Sequence, residues 1–188
     1  MNKIYFLIIT LSFTMLLGES KYKEPEFTLV SKDSNIEIRE YSKYVVAKTS
    51  RSVNDEKNEN NMFRTLASYI FGDNHDEAKI AMTAPVTTFK DNNTSEMIFY
   101  MLDADSIDDL PYTDVEGIDF DIFTLGKCAT VSFSWFTSDK RVKKYESQLK
   151  DYLKKNNITT NGPFMLNRYD PPWKLPFLRR NEIIVRID

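Results

Sequence analysis

Ile36-Glu37-Ile38-Arg39-Glu40-Tyr41 alternates apolar and charged side chains, the pattern of a strand with one buried face. Moved along the chain by 84 residues, its first three positions fall on Phe120-Asp121-Ile122. The same shift carries the next expected strand, residues 44–49, onto residues 128–133. It carries the helical stripe of Met62, Phe63, Leu66, Ala67, Ile70 and Phe71, closed by Gly72, onto a second helix. The apolar face of that helix holds Val142, Tyr145, Leu149, Tyr152 and Leu153. Ile80-Ala81-Met82 falls on Phe164-Met165-Leu166. A shift of 86 matches Glu96-Met97-Ile98-Phe99-Tyr100-Met101 with Glu182-Ile183-Ile184-Val185-Arg186-Ile187, so Glu96 and Glu182 fall at matching positions. Recurrence of element order, period and spacing points to an internal duplication. Neither half can bury both its sheet face and its helix stripe alone, so the halves join around one core. The expected fold is α+β, a duplicated strand–helix–strand unit arranged as two sheets, or as one curved barrel-like sheet of about eight strands, with two long helices outside. A groove between helix and sheet edge is where such a fold holds a ligand.

The chain has 188 residues, and its first twenty differ from the rest. Met1-Asn2-Lys3 is basic, residues 4–17 are almost wholly apolar, and Gly18-Glu19-Ser20 follows. That is the order of a secretory signal peptide. The apolar run is 14 residues, shorter than the roughly 20 that a spanning helix needs. Residues 1–20 are therefore expected to be a leader removed after Ser20, and residues 21–188 a single domain. The expected location is secreted, periplasmic or the lumen of the secretory pathway, with no membrane span after cleavage. Asn92-Asn93-Thr94, Asn93-Thr94-Ser95 and Asn157-Ile158-Thr159 are glycosylation sequons in a eukaryotic source.

Counts of residue types narrow the chemistry. The chain holds 25 Lys+Arg against 28 Asp+Glu, one His and one Cys. A net charge of −3 gives no basic excess for a dedicated nucleic-acid binder. One Cys closes no internal disulfide, and one Cys with one His builds no Cys/His zinc site. Cys128, beside Ala129-Thr130-Val131, reads as buried in a strand. Five Gly leave little room for a phosphate-binding loop. A nucleophile–His machine would have to use His75, which sits in the acidic loop Asp73-Asn74-His75-Asp76-Glu77. No catalytic set and no metal-ligand set emerges.

Three stretches together resemble a known family. They are the strand at 36–41; Lys79-Ile80-Ala81-Met82-Thr83-Ala84-Pro85-Val86; and Tyr169-Asp170-Pro171-Pro172-Trp173-Lys174-Leu175-Pro176-Phe177-Leu178-Arg179-Arg180-Asn181-Glu182. In this order and spacing they resemble the SOUL haem-binding protein family, across about residues 25–188. The resemblance implies a distorted eight-stranded β-barrel built from a duplicated strand–helix–strand unit and flanked by two helices. It also implies reversible binding of haem or another tetrapyrrole, without catalysis, in a shallow apolar cleft beside the first helix. A loop corresponding to residues 169–180 would help cover the ligand. Some members use a His axial ligand in the early strand region, but residues 36–50 here contain no His.

A haem presents a large apolar plane with two carboxylates at one edge, so its site needs aromatic contacts and one or two cations. The first helix offers Phe63 and Ala67 with Arg64 at the margin; the late loop offers Trp173 and Phe177 with Lys174 and Arg179 nearby. These seven are the candidate ligand-binding residues, and the partner is a small planar hydrophobic molecule held by a monomer. Phe63 and Ala67 equally suit the core stripe of their helix. Met82 reads as a core gap-filler rather than an iron ligand. Thr83 and Pro85 read as fixing the geometry of a strand end. A second reading is a small-molecule-binding or hydrolytic module that uses Glu182 or Glu96 as a buried carboxylate, as the resemblance to GyrI-like domains implies. A third is a protein–protein interaction module with a collapsed cleft.

Overall fold

The computed structural model of the protein describes residues 22–54, 58–91 and 93–188. The expected leader at 1–20 lies outside the described residues, as do Asn92 of the first sequon and residues 55–57 of the polar loop. The element order is β1 (Phe27–Asp33), β2 (Ile36–Tyr41), β3 (Lys43–Ser52), α1 (Asn58–Ile70), β4 (Val86–Asp91), β5 (Thr94–Tyr100), β6 (Asp119–Thr124), β7 (Lys127–Phe133), α2 (Asp139–Lys155), β8 (Met165–Arg168) and β9 (Asn181–Arg186). No helix among the described residues is long and apolar enough to cross a membrane.

The nine strands among the described residues form one sheet in the order β1-β2-β7-β9-β8-β4-β5-β3-β6, with every pairing antiparallel. The expected eight-stranded barrel is corrected on two points. The ninth strand is β1, an edge strand outside the duplicated set of eight. The sheet is also open, because its edge strands β1 and β6 pair only with β2 and β3. It curls strongly nonetheless. Six steps of strand order separate β2 from β3, about 29 Å in a flat sheet at about 4.8 Å per strand. Yet only Ser42 joins them in the chain. The chain steps across the seam there without a ladder, so curvature comes without closure.

Exchange β2 for β6, β3 for β7, β4 for β8 and β5 for β9, and the pairings among these eight strands are unchanged. The counterpart of β8 is thus β4, not the Ile80-Ala81-Met82 segment, which forms no strand. Lys48 and Ser132 stand 84 residues apart and pair with Ile98 and Glu182. Glu182 therefore takes the place that Ile98 holds in the first half. Glu96 pairs with Ser50 and Phe89 instead.

Each helix covers one part of the same sheet face. Met62, Leu66, Tyr69 and Ile70 of α1 are fully buried at helical spacing. They pack on Val45, Ala47, Met97 and Phe99. The stripe stops at Ile70: Phe71 is exposed, and Gly72 turns the chain at φ +115°. Leu149 and Leu153 of α2 pack on Ile36, Ile38, Val131, Ile183 and Val185, with Tyr145 stacked 4.4 Å from Phe133. The opposite face has no helix. It is buried by the curl itself, which gathers Tyr41, Val46, Tyr100, Cys128, Met165 and Ile184 from six strands into one cluster. Strand β2 is therefore buried on both faces, which its alternating sequence does not announce. Thr83 donates to the Tyr100 carbonyl at 2.7 Å just before the cis Ala84–Pro85 bond and the start of β4.

Candidate functional site

The β8–β9 connection, residues 169–180, is rigid because it bonds to itself. Asp170 accepts the Lys174 ammonium and the Arg180 backbone N–H, both at 2.6 Å. Backbone bonds close turns from Lys174 to Pro171, Leu178 to Leu175 and Arg179 to Pro176. The Arg179 guanidinium donates to the Lys174 carbonyl at 2.8 Å and to the Pro172 carbonyl, and lies over the Phe136 ring. Pro171, Pro172 and Pro176 restrict φ between these bonds. The apolar side chains have no place inward. Trp173 is 79% exposed, and Leu175, Phe177 and Leu178 are each more than half exposed.

Arg168, the last residue of β8, ties this loop to its surroundings. It bonds both carboxylate oxygens of Glu59 in the first turn of α1 at 3.0 Å, and Thr88 of β4 and Thr137 before α2 at 3.2 Å. Phe63 stands one helical turn beyond Glu59 on the same side of α1. Its ring meets Phe99 edge-on at 5.4 Å and stays 42% exposed. Arg168 thereby brings the first turn of α1, one turn before Phe63, to the base of the loop. Ala67 is buried and Arg64 exposed. Of the three candidate cations, Lys174 and Arg179 are engaged within the loop, while Arg64 has no ion-pair partner among the described residues. Trp135 and Phe136, which follow β7, border the same face and carry no motif that singles them out in the sequence. The Trp135 N–H donates to the Pro176 carbonyl at 2.8 Å, coupling the two loops.

A second polar cluster sits on the helix-free face. Glu182 is almost completely buried. Its carboxylate accepts two bonds from Arg39 at 2.9 Å, one from Tyr169 at 2.7 Å and one from Ser132 at 3.1 Å. Arg39 also donates to Tyr41 at 2.9 Å and Glu37 at 2.8 Å. Burial opposes the Arg39 charge, but the bonds and charge of Glu182 outweigh it and hold the guanidinium protonated. Burial, with Glu182 beside it, pushes the Tyr169 phenol well above its ordinary value. The adjoining crevice has a volume of about 50 Å³. That is room for a water or two, far below the roughly 300–1,000 Å³ of a small-molecule pocket.

The remaining candidates take structural places. The Nε2 of His75 lies 2.7 Å from Asp114, and its backbone N–H donates to the Tyr112 carbonyl, pinning the loop after α1 to the connector before β6. Met82 packs against the α1 core. Cys128 is buried as expected, and burial pushes its thiol up to about 12.

The molecule is thus a curled antiparallel sheet that presents a fixed aromatic face beside α1. Its sequence matches the SOUL heme-binding protein family over residues 22–186, and the chain belongs to that family. No curated protein sequence matches it. Among solved structures it is similar to a hydrolase from Listeria innocua, with TM-score 0.62 and 10% identity over 85% of this chain and 94% of that one. It is also similar to an uncharacterized conserved protein from Listeria innocua, with TM-score 0.64 and 9% identity over 84% and 94%. The EcmrR C-terminal domain gives TM-score 0.63 and 13% identity over 81% and 96%. At these identities the likeness is one of fold.

Proposed function

We propose that this protein binds haem or a related tetrapyrrole reversibly on the open face between α1 and the β8–β9 loop. The ring plane would lie against Phe63, Ala67, Trp173 and Phe177. Arg64, Lys174 and Arg179 would meet the carboxylates at its edge, Lys174 and Arg179 by sharing or exchanging their loop contacts. Family membership supports the ligand class. The observation that carries the placement is Trp173, held 79% exposed by a loop that bonds to itself. A solvated indole on a loop braced by its own bonds is a ready contact for a flat apolar ligand. Both walls come from one chain, so a monomer suffices. No residue is assigned a catalytic step or an axial bond, since His75 is engaged with Asp114 at the far end of α1. A leader at residues 1–20 would place this binding outside the cytosol.

Titration with hemin and with iron-free protoporphyrin, followed by absorbance, tests the proposal. Saturable binding of both with similar affinity is expected. Saturation by neither would falsify it. A cation-binding role for Glu182 has weaker support, because Arg39 already fills the place such a ligand would take.

A further inference from the structure

Both tryptophans of the chain, Trp135 and Trp173, stand exposed on two loops joined by the Trp135–Pro176 backbone bond. Phe136, Leu175, Phe177 and Leu178 stand with them, each more than half exposed. Isolated exposed apolar residues are ordinary, but six large ones on two cross-linked loops are not. Trp135 is moreover held at φ +80°, a conformation rare for a bulky residue. Its carbonyl accepts a bond from Asn181 at 3.0 Å and its N–H donates to Pro176, so the backbone that carries the indole is bonded on both sides.

Charge separates this face from the rest of the protein. Residues 134–145 and 169–180 hold seven of the 25 Lys+Arg but only two of the 28 Asp+Glu. The two segments carry +5 in a chain whose net charge is −3. Lys140, Lys143 and Lys144 are exposed in the first two turns of α2, immediately after Phe136. Asp170 is bonded to Lys174, and Arg180 is paired with Glu24 from outside the two segments, so the border stays positive chiefly through the start of α2. The result is a rigid tip of Trp, Phe and Leu bordered by cations on an otherwise acidic molecule.

We propose that this face docks on an anionic lipid surface. Indole and aliphatic side chains favour the boundary between headgroups and acyl chains, and each bordering Lys or Arg adds about 1 kcal/mol near anionic lipid. The acidic remainder of the chain orients the molecule with this tip toward the lipid. The docking rests on charge and exposure, not on tetrapyrrole binding, although the two would share Trp173, Lys174, Phe177 and Arg179. A tetrapyrrole dissolved in lipid would then meet its site directly.

The test uses tryptophan emission of the full chain, without hemin, as vesicles are added. Residues 1–20 contain no Trp, so the signal reports on this face alone. Phosphatidylcholine vesicles containing phosphatidylglycerol should shift the emission to the blue. Affinity should be at least roughly tenfold higher than for phosphatidylcholine alone and should fall with added salt. Lys140→Glu/Lys143→Glu should weaken binding at least roughly tenfold, and Leu175→Asp/Leu178→Asp should abolish the shift. The proposal is overturned by no shift, by an equal shift on both vesicles, or by a shift retained in Leu175→Asp/Leu178→Asp. Concentration-dependent dimers lost in that variant, with no vesicle response, would overturn it in favour of a second copy as partner. Lys140→Glu/Lys143→Glu should keep the parental hemin affinity; if no variant binds hemin while lipid docking persists, only the tetrapyrrole proposal fails.

Discussion

Arg39 and Glu182 form a buried ion pair with both members bonded again to Tyr41, Tyr169, Ser132 and Glu37. Desolvation offsets much of such a pair's attraction, whereas removing one partner strands a buried charge at a cost of about 3–5 kcal/mol. Arg39→Ala and Glu182→Ala should each lower unfolding free energy by about that much in urea titrations. Arg39→Met/Glu182→Leu should recover most of the loss. Glu37 titrates with the opposite sign to a raised group. Burial raises its carboxyl, but bonds from Lys32 and Arg39 outweigh that and hold it below 4.5. The stability it contributes is complete above pH 4.5 and is lost as pH falls through the folded value. Glu37→Gln should therefore cost about 0.5–1 kcal/mol at pH 7, an exposure-discounted figure. It should also flatten the dependence of urea midpoint on pH below 4.5. Sequence alone hides this cluster. Charge alternation in residues 36–41 places Arg39 outward, and only the curl of the sheet covers its second face.

The two helices bury similar stripes but have different duties. Leu66 of α1 and Leu149 of α2 are both fully buried. Leu66→Ala and Leu149→Ala should each destabilise by about 2–5 kcal/mol through lost burial and a residual cavity. Only α1 carries Phe63 and reaches the β8–β9 loop through Glu59 and Arg168. Hemin titrations of the two variants under conditions where both stay folded should show weakened binding for Leu66→Ala alone. Equal weakening by both would remove α1 as a wall of the site. The helices were legible because apolar side chains recur at helical spacing over whole turns. The β4 strand was not, because Val86-Thr87-Thr88-Phe89 lacks polar alternation and follows a Pro.

At the scale of the molecule, the 84-residue offset captured the order of elements, and the ladders add that the two halves pair symmetrically. It did not settle closure. Whether a curled sheet becomes a barrel depends on a ladder across the seam at Ser42, and side-chain periodicity does not encode that ladder. The matching of Glu96 with Glu182 failed for a related reason: register is set by the ladders, which place Ile98 opposite Lys48 as Glu182 lies opposite Ser132. The aromatic loop was legible from its Pro-rich composition. Its alliance with Trp135 and Phe136 needed the third dimension.

In the proposed complex the ligand is held by apolar contact at the β8–β9 loop. Hemin affinity of Trp173→Ala, measured against the parent protein with Phe63→Ala alongside, tests it most directly. Each truncation should weaken binding by about 1–2 kcal/mol, roughly five- to thirtyfold, the scale of losing an aromatic contact, while His75→Ala leaves the Soret band in place. Parental affinity in both Trp173→Ala and Phe63→Ala, or loss of the Soret band in His75→Ala, would contradict it.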